Sequence, residues 1–226
     1  MGNIGSRFYL TFIEESRYRF FLEGLEMTLF LTLGSFLFGT LIGILLCAAL
    51  RSRRHIVAYI GRLIVSFFTQ MPTMVLLMLM VYIVFGSSSL SVVLIVLFGL
   101  TLKAGAYLAE IFHSALETVN SGEMEAARTL GMSARTAFLY VSLPQIISAA
   151  LPLYKNQFII TMQETSIVGY LAIMDLTRAS SIVTAQTLDA LFGLLVITII
   201  YFVIGIVFQQ LLGMLGHRKH LGGLQQ

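Results

Sequence analysis

The stretch MTLFLTLGSFLFGTLIGILLCAAL, Met27 to Leu50, contains no charged side chain. At ~1.5 Å per residue a helix of this length crosses a hydrocarbon core of ~30 Å. Working outward, Leu63 to Leu102 is also uncharged, and it is interrupted by Gly86, Ser87, Ser88 and Ser89, the residues a tight turn between two helices needs. This divides it into a second span and a third running from about Leu90 to beyond Glu110. A fourth span is expected around Leu151 to Met174, entered through Pro144 and Pro152, and a fifth from about Leu188 to Gly216. Pro72 and Pro152, near the ends of their spans, read as helix breaks, and Pro72 either kinks the packing or opens backbone groups toward a central cavity.

Composition agrees with lipid as the solvent. Hydrophobic residues make up 58% of the 226 and charged ones 11%, with mean hydropathy +0.91, against roughly 25% charged in a soluble domain. An ordinary soluble protein is excluded, and an all-α membrane protein of five transmembrane helices is expected. The net charge of +3 reads as loop charge that orients the spans, not as a nucleic-acid surface. The one cysteine, Cys47, lies inside span one, so no intrachain disulfide can form.

Basic residues set the orientation. Arg51, Arg53, Arg54 and Arg62 follow span one, Arg128 and Arg135 lie between spans three and four, and Arg218 and Lys219 follow span five. These three segments share one side, the cytoplasmic one by the positive-inside rule. The N-terminus and the stretch around Asp175 and Arg178 then fall outside, and the C-terminus inside. Residues 1–24 hold Phe8, Leu10, Phe12, Ile13, Tyr18, Phe20 and Phe21 and read as an interfacial segment. Their mixed charges do not form the basic lead of a cleavable signal. Residues 25–216 form the transmembrane part and 217–226 a basic cytoplasmic tail.

One long hydrophilic connection, about 117–145, reads as two short helices. Asn120 can cap the first, with Glu123 three residues on as in a capping box, Gly131 ends it, and Ser133 caps the second. Met124, Ala127 and Leu130 recur every three residues as one apolar edge. That edge either packs back under the chain's own spans or seeks a partner.

The residues of this loop carry a specific pattern: Glu125-Ala126-Ala127, three residues, Gly131, nine residues, then Val141-Ser142-Leu143-Pro144. It resembles the EAA loop of ABC import permeases, departing only in Val141 where Ile is usual. Gly24-Leu25-Glu26-Met27-Thr28-Leu29, Ala106-Tyr107-Leu108-Ala109-Glu110-Ile111 and Leu143-Pro144-Gln145 are similar to the polar-amino-acid permeases of the histidine/glutamine type, over about Gly24 to Gly216. The resemblance implies the type I importer (MetI-like) fold in a bacterial inner membrane. It implies a coupling helix on which Glu125, Ala126, Ala127, Leu130, Gly131 and Pro144 engage an ATPase. Its implied partners are two cytoplasmic ATPase subunits, a second permease copy or paralogue, and an extracytoplasmic binding protein. The chain departs from the family at Thr69-Gln70-Met71-Pro72, where Arg-Gly-Thr-Pro is usual. It departs also at Gln163-Glu164-Thr165-Ser166-Ile167, where a lysine leads, and at His113, where another basic residue is common. These departures bear on the substrate.

Charges inside lipid cost at least ~2.5 kcal/mol each, which makes any intramembrane charge a functional candidate. Lys103 lies about thirteen residues into span three, and Glu164 lies nine beyond Lys155. In one reading Lys103 faces the carboxylate of an amino acid and Glu164 its ammonium, with Gln70, Thr73, Tyr107, Gln163, Thr165 and Ser166 supplying hydrogen bonds. In the other the pair is a salt bridge stapling two helices. An acidic group in the pocket favours a cationic side chain. No G-x-x-x-x-G-K-[ST] occurs, so ATP is expected to be bound and hydrolysed by partner subunits, and no cofactor by this chain. The four histidines lack metal spacing, and no catalytic constellation points to an enzyme. The alternative function is an ion-coupled secondary carrier or channel with Lys103 and Glu164 as the relay. Gly39 and Gly43 form a GxxxG in span one, a sign of close helix approach that a lipid-facing stretch can also show.

Overall fold

The computed structural model describes residues 4–217; Arg218, Lys219 and His220 of the basic tail lie outside the described residues. The long helices are α1 (Tyr18–Leu50), α2 (His55–Gln70), α3 (Thr73–Leu79, continued by a wide turn Met80–Val84), α4 (Val92–Glu117), α5 (Ser121–Thr129), α6 (Leu143–Thr165), α7 (Leu176–Thr187) and α8 (Ala190–His217), with no strand among the described residues. Among the described residues, four helical stretches are long and apolar enough to cross a membrane: Tyr18–Leu50, Val92–Glu117, Ala134–Leu171 and Ala190–Leu211. The broken pair α2 and α3 makes a fifth if taken as one span.

Several expected boundaries move. The first helix starts at Tyr18, so the aromatic residues before Met27 are partly its own first turns. Upstream, Glu15 and Ser16 both take positive φ (52° and 57°) and break the run from Phe8 to Phe21 into two pieces. The fourth helix starts earlier than expected. The second short loop helix, Ala134–Ala137, feeds through Phe138–Ser142 straight into α6. Pro152 is inside α6 and does not end it. In a membrane the carbonyl that a proline leaves free is re-satisfied by neighbouring groups, so the rule for helices in water overstates the break. At Pro72 the break is real.

Contacts group the chain into two units. One comprises the residues up to Ser35, Pro72–Leu100 and Ile159–Leu211; the other comprises Phe36–Met71, Thr101–Phe158 and the residues from Leu212 on. In the first, Leu31, Leu77, Val96, Leu100, Val168 and Leu171 form one buried core, and Phe21, Ala179, Val183, Val196 and Ile197 a second. Phe12 and Phe20 pack on this second core while Phe8, Tyr9 and Leu10 stay exposed. The N-terminal aromatics are therefore shared between the chain's own core and its exterior.

In the second unit Cys47, Val65, Ala106 and Ala109 are buried together, and Phe36 packs against Tyr154 with the rings tilted by 56° and their centroids 4.7 Å apart. The GxxxG is a packing seam, not a lipid face. A β-carbon on Gly43 would lie 2.8 Å from Leu108 Cβ, one on Gly39 3.0 Å from Ala104 Cβ, and one on Gly105 2.7 Å from Ile42 Cγ2. Small residues let α1 and α4 approach to backbone contact. Gly43→Val is expected to lower stability by about 1–3 kcal/mol through this overpacking. Thermal unfolding in detergent would register it, whereas an unchanged midpoint would show that the seam can open without cost.

Candidate functional site

Span two is broken because of two residues. Met71 precedes a proline and is pushed out of the helical region (φ −78°, ψ 130°), and Pro72 follows in extended geometry (φ −57°, ψ 134°). Helix α2 therefore ends at Gln70, and the carbonyls around its last turn need partners from elsewhere. Helix α4 supplies them. Tyr107 donates its hydroxyl to the Thr69 carbonyl at 2.9 Å, and Lys103 Nζ donates to the Met71 carbonyl at 2.8 Å. Lys103 and Tyr107 are one turn apart, with the ammonium 6.0 Å from the ring centroid, and Lys103 is only 3% exposed. A cation at a helix C-terminus also meets the negative end of the helix dipole. Lys103 thus has a structural partner in the backbone, a role the sequence reading did not weigh.

In the other unit, Thr73 opens α3 and donates its hydroxyl to Glu164 Oε1 at 2.8 Å. This brings together two residues expected at the site. A carboxylate beside the first turn of a helix is favoured by the positive end of its dipole. The remaining candidates are placed less centrally. Thr165 is fully buried and spends its hydroxyl on the Met162 carbonyl at 2.7 Å, and Ser166 does the same to Gln163 at 2.7 Å. Gln163 is exposed and lines a cavity of about 210 Å³ with Tyr201 and Gln209. Gln70 is exposed, its amide held by Ser66 Oγ.

The loop behaves largely as its residues require. Asn120 caps α5 by accepting from the Gly122 N–H at 2.9 Å, and Ser133 caps the next helix by accepting from the Thr136 N–H at 3.1 Å. The carboxylate of Glu123 turns to the Gln145 amide, away from the capping box its spacing suggested. Gly131 has φ +89°, and the bonds Met132 N–H to Ala127 O and Gly131 N–H to Arg128 O, at 3.2 and 3.1 Å, close the helix in a Schellman turn. The apolar edge divides. Ala127 is buried on the chain's own side, while Leu130 is 82% exposed, with Glu125 and Ala126 exposed beside it.

The stretch around Asp175 and Arg178, expected only to fall outside, is a capped helix. Asp175 is fully buried and caps α7, accepting from the Thr177 and Arg178 N–H groups at 3.1 and 3.0 Å. Burial pushes its carboxyl above the usual carboxylate range, and those two N–H groups oppose the shift. Thr28 on α1 accepts from the Leu176 N–H at 3.2 Å, and a β-carbon at Gly24 would lie 2.7 Å from the Asp175 carbonyl oxygen. The signal was present in the sequence: an aspartate directly before Leu176-Thr177-Arg178-Ala179 is an N-cap.

Comparison with known proteins places the whole arrangement. Residues 35–220 match the model of the family described as binding-protein-dependent transport system inner membrane component. The chain is 30% identical over 191 residues to the probable amino-acid permease protein YxeN of Bacillus subtilis, covering 83% of this chain and 85% of that one. It is 27% identical to the putative glutamine transport system permease protein GlnP of Rickettsia typhi, over 82% of this chain and 86% of that one. A crystal structure of an amino acid ABC transporter with histidines superposes with a TM-score of 0.81 at 29% identity, covering 96% of this chain and 99% of that one. The fold is shared also with the MetNI methionine ABC transporter, at a TM-score of 0.69 and 19% identity over 89% and 99% of the two chains. The chain therefore belongs to the binding-protein-dependent transport system inner membrane components: it is a multi-pass, non-catalytic permease subunit of an ABC importer, a family that works with an ATPase and a substrate-binding protein.

Proposed function

We propose that this permease imports polar amino acids, with a preference for cationic side chains. The observation that carries the reading is Glu164, a carboxylate within a membrane-spanning helix, held by Thr73 at the start of α3. A carboxylate kept in that setting is suited to an ammonium or guanidinium group arriving from water. Support comes also from the relatives, named for glutamine and for amino acids, and from the structural neighbour described with histidines. Lys103 and Tyr107 hold the end of α2 through the Met71 and Thr69 carbonyls. The chain would work as a pair of permeases with two ATPases in the bacterial cytoplasmic membrane, its N-terminus outside and its C-terminus inside. Glu125, Ala126, Leu130 and Gly131 would face the ATPase, and ATP itself would be bound and hydrolysed there.

The test is reconstitution with the ATPase and binding protein, then ATP-driven uptake of arginine, lysine, histidine, glutamine and glutamate. Uptake of the cationic members is expected to exceed that of glutamate at least tenfold, and Glu164→Gln is expected to erase the preference. Uptake driven by an ion gradient without the ATPase would sink the reading.

A further inference from the structure

The Asp175-capped segment frames a cavity that does not include Glu164, and of its lining only Ser166 was among the expected substrate contacts. Ser166, Gly169, Tyr170, Thr177, Arg178 and Ser181 line it, all within one unit, and it is an open cleft of about 220 Å³. At ~30 Å³ per water that is room for about seven water molecules, close to a small amino acid and too little for a peptide. Its chemistry is two-signed. Arg178 is anchored by one bond, Nη1 to the Gly169 carbonyl at 2.9 Å, which leaves a planar guanidinium with further N–H donors suited to a carboxylate. The serines present the opposite face. Ser166 donates its hydroxyl hydrogen to Gln163 O at 2.7 Å and Ser181 donates to Thr177 O at 3.0 Å. Each oxygen therefore keeps acceptor capacity, which suits an ammonium. Tyr170, 74% exposed, adds an aromatic face on which a cation can rest.

The frame is also rigid. A β-carbon at Gly169 would lie 2.8 Å from Asp175 Oδ1 and 3.2 Å from Arg178 Cβ, so the Val168–Leu171 turn sits against the first turn of α7 with no side chain between. Buried Asp175 fixes that turn through the Arg178 backbone N–H, which sets where the Arg178 side chain begins. A guanidinium held this way needs little reordering to bind an anion.

We infer that this cavity is a second amino-acid site, separate from Glu164, in which Arg178 takes the α-carboxylate and Ser166, Ser181 and Tyr170 take the α-ammonium. It rests on the proposed orientation and substrate class, which put it at the extracytoplasmic mouth as a receiving site for substrate leaving the binding protein.

The test uses the complete permease–ATPase complex in detergent, without binding protein, and equilibrium binding of radiolabelled histidine with histidine and histidinamide as competitors. Wild type is expected to show two classes of site. Arg178→Gln should remove one class, and Glu164→Gln should leave that class in place. At the Arg178 class histidinamide should compete at least tenfold worse than histidine, and this discrimination should vanish in Arg178→Gln, a change that loss of packing alone would not produce. Tyr170→Ala, at an exposed position that leaves the frame intact, should weaken the same class severalfold. A single class of site in wild type, or two classes in Arg178→Gln, would overturn the inference. So would an Arg178→Gln complex that binds histidine normally but docks the binding protein tenfold more weakly, which would assign the carboxylate to that protein. Copurification of the ATPase is scored in the same preparations, and ATP-driven uptake after their reconstitution into vesicles with the binding protein. If they persist while the second class is absent, the inference fails and the importer reading stands.

Discussion

Gly131→Val should abolish coupling while leaving the membrane-spanning helices folded. The reason is conformational, because a β-carbon at Gly131 would meet nothing within 4 Å. What a side chain meets there is its own backbone at φ +89°, a region costing an L-residue about 1–2 kcal/mol and a β-branched residue more. The chain can relieve that cost cheaply by opening the two bonds that close the Schellman turn, Met132 N–H to Ala127 O and Gly131 N–H to Arg128 O. Exposed Leu130 and the Glu125–Ala126 face then lose their fixed direction. Because the turn unfolds locally, the global melting temperature should shift little. Substrate-stimulated ATP hydrolysis and uptake should fall at least tenfold. Asparagine tolerates positive φ better than other non-glycine residues, so Gly131→Asn should retain most activity, with Gly131→Ala between. A ranking in which valine matches asparagine would remove the backbone from the explanation.

This prediction rests on a turn that was legible in the sequence, and the reason it was legible is local. Asn120, Gly131 and Ser133 determine their own neighbourhoods through hydrogen bonds spanning two to five residues, and the structure places all three as their types demand. Charge-free runs such as Met27–Leu50 were legible for a similar reason, since lipid admits few alternatives to a helix. Reading failed where the deciding partner is distant in sequence. Glu123 had the spacing of a capping box, but Gln145, twenty-two residues on, takes its carboxylate. The stretch around Asp175 was placed only as the exterior connection between spans four and five, yet Thr28, 148 residues upstream, satisfies the Leu176 N–H, and Asp175 is buried. Pro152 and Pro72 make the same point as a pair. Both carry the same rigid ring, but only at Pro72 is the preceding residue in extended geometry, and there Lys103 and Tyr107, more than thirty residues on, bond the carbonyls at the helix end.

The candidate site was legible as a set of residue types but not as a set of partners. Scarcity of charge alone singled out Lys103 and Glu164. It could not say that the first would be bonded to a main-chain carbonyl and the second to a threonine hydroxyl.

That difference decides the outcome of exchanging the two charges. If Lys103 and Glu164 served only to neutralise each other, Lys103→Glu with Glu164→Lys should restore uptake lost in either single variant. The bond from Lys103 to the Met71 carbonyl predicts otherwise. A carboxylate at position 103 has no hydrogen to give, so it would face the carbonyl oxygen and the negative end of the α2 dipole at a position 3% exposed. Leaving a buried carbonyl unsatisfied costs about 1–3 kcal/mol, more beside a charge of the wrong sign. At position 164 an ammonium could still be accepted by the Thr73 hydroxyl oxygen, so the failure should lie at position 103. The double variant is therefore expected to stay at least tenfold below wild type in uptake, with a lowered melting temperature. Lys103→Met should lower stability by a similar amount, since it too deprives the Met71 carbonyl of its donor. Tyr107→Phe removes the bond to Thr69, a neutral one worth about 1 kcal/mol, and should keep most uptake. Full recovery in the exchanged pair would mean that the α2 end needs no cap and that the two charges act on each other alone.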